Sequence, residues 1–568
     1  MNLKLLICII IFGFLILSCV SADDTPNDLL NASYDANLSS SHHVSGNSFS
    51  DIRSTIADSK SGDTIYLSGT YNGDGNSITV NKDRLTIKSS SSSSKAVLNV
   101  AGKNSRVFSV TASNVRLENL IFENMDSNEL GAVSVSGTHF TIIDCDFINN
   151  KGMVGGLYIR NDADYAVVRN CNFISNQAIY GDGEGGTNGG GIDSHASHGT
   201  YQNCNFQANH ASTRGGGVFF IYGSDNKVQN CHFENNTATG GSAVYATVPT
   251  TLTVENSNFK NNKASDGGSI YNRGNLTLNK CNFTEYTAEN GGVAYNRGVL
   301  NFNQCRFIGN NANNGGVIYN NAEASISKCD FINNSGFNGG CVYNSGTMTL
   351  NSNNFSDSSA SGGGCIYNTG LLIVKSSKFT KNNADYGASI YNTGYLEVSS
   401  TTFSNNNATN GSAIYNNGNL TIYKSIFEDN CAKSYKLTST NITTTLGDTV
   451  EIKAYLEYGD NYPGIYTNND LIIDSKKAEL NSGAYNQLIT LNISNKIYSQ
   501  RTDKKGIATF NINTNELKAS SYVFILNHPS SSISTGISSK YTLNIKEKIK
   551  QNTVKKNKKT KKKTKNYN

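Results

Sequence analysis

The chain has no tryptophan and only 4 prolines in 568 residues, and charged residues make up just 16% of it. So little charge leaves few of the Glu–Lys pairs that support solvent-exposed helices. Beyond residue 17 no stretch approaches the ~20 apolar residues a bilayer span needs. There is no Cys-x-x-Cys pair and no Cys/His set at zinc spacing, which argues against a zinc module. What is abundant is Gly (53), Tyr (30), Phe (24), Asn, Ser and Thr. Asn, Gly and Ser favour turns over helices, and the aromatic content is too high for a disordered chain.

The N-terminus, MNLKLLICIIIFGFLILSCVSADD, carries a lysine, an apolar run from Leu5 to Leu17 and small residues up to Ala22. This predicts a secretory signal peptide over 1–22, followed by a linker or N-terminal cap over 23–50. An uncleaved anchor and lipid attachment at Cys19 are the alternatives.

A repeat organises the middle of the chain. Phe259, Phe283, Phe307, Phe331, Phe355, Phe379, Phe403 and Phe427 follow one another at intervals of 24 residues, and Phe147, Phe173, Phe206 and Phe233 continue the series less regularly. Between them recurs GG-x-[IVA]-Y-N, with Tyr271, Tyr295, Tyr319, Tyr343, Tyr367, Tyr391 and Tyr415. An alternating strand pattern such as GNLTLN then follows. Three short strands per unit, bounded by Gly and Asn, fit one coil of a parallel β-helix. Stacked about 4.8 Å apart, the coils from Phe147 to Phe427 make a rod of roughly 60 Å. The fold class is therefore all-β, a right-handed parallel β-helix over 51–435.

Cys145, Cys171, Cys204, Cys231, Cys281, Cys305 and Cys329 all stand two residues before the anchor Phe, where later coils carry Ser, Asn or Thr. Alternation puts this column on the inward side with Phe. Cys341 and Cys365 stack in adjacent coils, so a disulfide there is geometrically conceivable. The Tyr column reads either as an exposed stripe that binds sugars or partners or as a stack that only joins coils. The Asn after each Tyr reads as satisfying the turn backbone rather than binding a ligand.

Units such as GGVIYN and CDFINN resemble the repeats of polymorphic outer-membrane proteins. GDTIYLSGTYN through NVRLENLIFENM resembles the opening coils of the adhesin-like surface proteins of methanogenic archaea. That resemblance covers about residues 51–431. It implies a secreted or wall-associated protein that contacts glycans or other cells. Residues 436–546 (DTVEIKAYLEYGD, NQLITLNISNKIYSQ, TDKKGIATFNINT, SSYVFILNHP) are similar to the Ig-like β-sandwich modules found beside such rods, which act as spacers.

The tail, 547–568, holds ten Lys and no acid after Glu547; without them the formal net charge of +5 becomes about −5. It suits an anionic wall polymer or membrane surface, or no partner at all. The signal peptide argues against nucleic acid. No cofactor follows from the sequence.

The superfold also serves pectate lyases and polygalacturonases, so an enzyme is the alternative. Hydrolysis needs two carboxylates facing one sugar bond, yet the polygalacturonase series N-T-D, D-D, G-H-G and R-I-K is missing and acids are scattered singly. The exception is residues 181–199, GDGEGGTNGGGIDSHASHG. There the coil from Phe173 to Phe206 runs 33 residues rather than 24. Counting back from Phe206 sets Gly190 and Gly191 at the repeating GG. That puts Asp193 and His195 in columns that elsewhere hold Ile or Val and Asn, sharing one face. Asp182, Glu184, Asp193, His195 and His198 are the candidate surface site. A decorated turn, a ligand or metal site and a catalytic site all remain open.

Overall fold

The computed structural model describes residues 39–549, apart from 101, 182–186, 433–434, 459, 461–463, 475, 478–483, 485 and 531–535. The expected signal peptide, the Lys-rich tail beyond 549, and Asp182 and Glu184 lie outside the described residues. The described residues from Ser41 to Ile549 belong to one compact unit. No helix among the described residues is long and apolar enough to cross a membrane.

The rod has three parallel sheets that run its length. The Phe sheet has 15 strands, from Thr70–Asn72 to Ile426–Glu428; the Tyr sheet has 15, from Ile78–Val80 to Ile465–Thr467; a third has 18 and starts at Ser41–His43. Each strand pairs with its equivalent one coil away, Phe283 with Phe307 and Tyr295 with Tyr319. The alternation read from GNLTLN is visible in the burial, since Leu276 and Leu278 point inward and are fully buried. The Phe rings stack from Phe147 to Phe427 with centroids 4.5–5.3 Å apart.

Bends in the left-handed region make the coil close. The strand Asn282–Thr284 is flanked by Lys280 (φ 53°) and Glu285 (φ 62°), and equivalent residues repeat this along the rod. Such a bend turns the next amide out of the sheet ladder, and a buried amide without an acceptor costs about 1–3 kcal/mol. The residue after each bend therefore takes its acceptor from a side chain one coil on. The Cys305 amide donates to Cys329 Sγ (3.3 Å), that of Cys329 to Asn353 Oδ1 (2.9 Å) and that of Asn353 to Ser377 Oγ (3.1 Å). After the second bend, the Asn310 amide donates to Asn334 Oδ1 (3.0 Å). Cys, Ser, Thr and Asn interchange in these columns because each offers a small acceptor. Described cysteines are buried and free, Cys341 and Cys365 included.

The Asn after each Tyr is also buried. Asn320 Nδ2 donates to Asn344 Oδ1 (2.7 Å) and to the Ala322 carbonyl (3.1 Å), and the same pattern repeats from Asn272 to Asn416.

The boundaries at both ends differ from those read in the sequence. The first rod strand, Ser41–His43, precedes residue 51. The segment Phe49–Asp58 is an α-helix with a Ser48–Asp51 capping box, and its Phe49, Ile52 and Ile56 are buried under the first coils. It is amphipathic at a period of 3.6, where the strands around it alternate with a period of two.

At the other end the rod does not stop at 435. After Cys431–Ala432, which still pairs with Asn407–Ala408, the chain leaves, forms strands Tyr435–Thr438, Ile442–Thr445 and Thr449–Tyr458, and then returns. Ile465–Thr467 pairs with Ile414–Asn416, and Leu471–Ile473 pairs with residues 420–422. Buried Asp460 accepts from the amides of Gly411 and Ser412 and from Ser412 Oγ, groups that the next coil would otherwise satisfy. Besides a seven-stranded and a three-stranded parallel sheet within the rod, the C-terminal strands form a three-stranded and a five-stranded sheet around one shared cluster that includes Ile452, Phe510, Leu491, Phe524 and Leu543.

Two outcomes test these accounts. Cys305→Ser keeps an acceptor for the Cys281 amide and should cost less than Cys305→Ala, which should lose about 1–3 kcal/mol. Equal urea midpoints at unchanged slope would overturn the acceptor role. Asp460→Ala should speed hydrogen exchange at Gly411 and Ser412 relative to Gly387 and Ala388 one coil earlier.

Candidate functional site

The Tyr column is half-buried along its regular stretch, and its rings stack on one another. From Tyr245 to Tyr466 successive centroids lie 4.7–5.4 Å apart and the planes are within 12°. Each of Tyr271, Tyr295, Tyr319, Tyr343, Tyr367, Tyr391 and Tyr415 thus has both faces occupied, and solvent meets ring edges and hydroxyls. Stacking a sugar on an aromatic requires an open face, and this column offers none between its ends.

The long coil interrupts the pattern. Strand Ile192–Ser194 pairs with Leu157–Ile159 and Val218–Phe220, so Asp193 occupies the Tyr column between Tyr158 and Phe219. The count made from Phe206 is therefore one residue out. The residue equivalent to Gly267 is Gly189, which shares its positive φ (67° against 58°). Asp193 replaces Tyr, Ser194 replaces Asn, and His195 begins the next turn. Of the nine extra residues, eight precede this strand and one follows it, which is why counting back from Phe206 misplaced the frame.

Asp193 and His195 do share a face, with His195 Nε2 3.0 Å from Asp193 Oδ1. The approach is off-angle, so that oxygen, although buried, has no hydrogen-bond donor. Burial pushes the Asp193 carboxyl above its usual range, and the neighbouring imidazole only partly offsets this. The His195 amide donates to the Ile159 carbonyl (2.8 Å), and its ring lies edge-to-face with Tyr158 (5.2 Å) and Tyr222 (5.9 Å). His198 is not part of this contact. It stacks on Tyr165 (4.7 Å), which stacks on His139 (5.0 Å), and its Nδ1 lies 3.7 Å from Asp225.

These groups belong to one corner of the rod, between the Tyr sheet and the third sheet. In the later coils residues such as 273–274 suffice for that turn; here residues 160–166, 195–199 and 221–225 make it. Hydrogen bonds tie the three turns together. The Ser197 amide donates to Asp164 Oδ1 (2.7 Å) and the Ser224 amide to Ser197 Oγ (3.2 Å). Tyr165 and Tyr222 are exposed, Tyr222 by 60%. Sequence reading picked out His195 and His198 but missed Tyr165, Tyr222 and Asp225. Their signal is available in hindsight: aromatic residues in stretched turns at left-handed positions, Tyr165 in a column it shares with Arg84, Asn114, His139 and His198. Among the described residues no group of three or more His, Cys, Asp or Glu is arranged to hold a metal.

A family model described as a right handed beta helix region matches residues 131–307 and 290–450. No curated protein matches the chain. Among solved structures it is similar to the tailspike protein gp49 from Pseudomonas phage LKA1, at 10% identity over 87% of this chain and 91% of that one, with a TM-score of 0.30. It is also similar to a PL6 alginate lyase in complex with a trisaccharide, at 11% identity over 84% and 92%, with a TM-score of 0.24.

A carboxyl held above its unfolded value stabilises the fold below that value and loses this contribution as pH rises through the folded one. Asp193→Asn should therefore raise the thermal midpoint at pH 7, and the gain should shrink as pH falls towards about 4.

Proposed function

Because the chain belongs to the right-handed β-helix family, we propose that it is a surface rod of the adhesin-like kind, which binds glycans or other cell-surface polymers along its side. The observation that carries this reading is the corner described above. On an otherwise repetitive wall, it gathers exposed aromatic, imidazole and carboxylate groups on turns that a rigid scaffold holds in place. Elsewhere the third sheet shows a flat polar file, with Thr253, Thr277, Asn301, Ser325 and Thr349 in successive coils. In this proposal the protein is secreted and wall-associated, the two-sheet C-terminal module is an Ig-like spacer, and the Lys-rich tail meets an anionic polymer or membrane surface.

One observation favours a second reading, a polysaccharide-active enzyme. An imidazole backed by a buried carboxylate is an arrangement that can accept a proton. A glycan array with the full chain, read for both binding and product release, separates the two. Binding with no released product is expected. Release of shortened chains would overturn the binding reading in favour of the enzyme, and a blank array would overturn both.

A further inference from the structure

We infer that the corner formed by residues 160–166, 195–199 and 221–225 takes an amino sugar, a pyranose carrying an ammonium group, within a surface polymer. The inference rests on the glycan-binding reading above and adds the chemical class of ligand.

The first ground is the open aromatic surface. Tyr222 is 60% exposed and meets His195 only edge-on at 5.9 Å, so it keeps a free ring face, unlike the stacked column from Tyr245 to Tyr466. A free ring face suits both the C–H face of a pyranose and a cation.

The second ground is charge. The three turns and the strand beneath them bring together Asp162, Asp164, Asp193 and Asp225. The fixed cations near them are Arg160, 3.6 Å from Asp162, Lys227 on the adjoining strand, and Arg106, which acts on Tyr158 beside Asp193 and is itself paired with Glu129. His139, His195 and His198 complete the titratable set. Asp225 is 68% exposed at its side chain and stands three positions from Tyr222 on the same turn. A uronic acid would bring a carboxylate towards this acidic set, whereas an ammonium group complements it.

Asp193 stands where regular coils place an aromatic ring, is 5% exposed, and has an oxygen with no hydrogen-bond donor directly beneath His195. Burying a carboxylate in place of an aromatic ring is unfavourable for folding alone. Its Oδ1 lies 3.0 Å from His195 Nε2, which makes Asp193 a positioning residue for that ring and leaves Tyr222, His195 and Asp225 to touch the sugar.

Calorimetric titration of the full chain with three hexasaccharides tests this: a glucosamine hexamer in its ammonium form, its N-acetylated counterpart and a galacturonate hexamer. The ammonium form should bind roughly tenfold tighter than the acetylated one, the galacturonate should not bind, and affinity should fall several-fold between about 50 and about 500 mM salt. Tyr222→Ala and Asp225→Asn should each weaken binding by about fivefold or more, with unfolding midpoints unchanged, while Thr349→Ala on the third sheet should have no effect. Equal or tighter binding of the acetylated hexamer, lost in Tyr222→Ala, would overturn the charge assignment and leave the glycan reading standing. Ammonium binding unaffected by either corner variant would show that the site is elsewhere, and no binding of any hexamer would count against the glycan reading itself.

Discussion

The whole rod depends on one constraint, that each coil satisfies its backbone through the coils above and below it. Parallel strands pair only with their counterparts one repeat away, so the residue count per coil sets which side chains meet. With 24 residues per coil, Phe stands on Phe, Tyr on Tyr and Asn on Asn at the strand spacing. Sharp bends are needed to close so small a coil, and each bend frees an amide that the ladder cannot use. The Cys/Ser/Thr/Asn columns answer this, and so does the Asn ladder beside the Tyr sheet. Polar residues in this interior are therefore the condition for coiling, since each supplies the acceptor that a displaced amide requires.

The same constraint governs the ends. A coil with nothing above it exposes amides and stacked rings. At the start, the helix Phe49–Asp58 covers them with an apolar face. At the finish, the cover comes from a segment inserted between strands of the C-terminal module, with Asp460 and Ile465–Thr467 standing in for a further coil. Rod and module are thereby joined through shared strands rather than a linker alone, which limits how freely the module can swing against the rod.

Regularity also explains where a binding site can arise. A column of identical rings spends its faces on itself, so the repeated Tyr files contribute to cohesion between coils. Coils that break the count are free of that demand. Between His139 and Asp225 the turns lengthen, the Tyr column gives way to Asp193, and Tyr165, His198 and Tyr222 stand at left-handed turn positions that the later coils lack. The proposed site follows the general rule that a rigid scaffold carries function on its connecting loops.

The amino-acid sequence by itself determined the β-helix, its period and the inward side of each strand, because a register of one residue per position leaves the repeat written in the chain. It also showed that the coil before Phe206 is exceptional. It could not place Asp193 in the Tyr column, since eight of the extra residues lie before the strand and one after, and only pairing with Tyr158 and Phe219 reveals the split. Nor could it show that Ile465–Ile473 closes the rod, because such a contact joins residues some fifty positions apart with no repeat to announce it. Periodic contacts are legible one-dimensionally. The meeting of Tyr222 with His195, or of Asp460 with Ser412, was decided by tertiary structure, because each depends on where an irregular length of chain comes to rest.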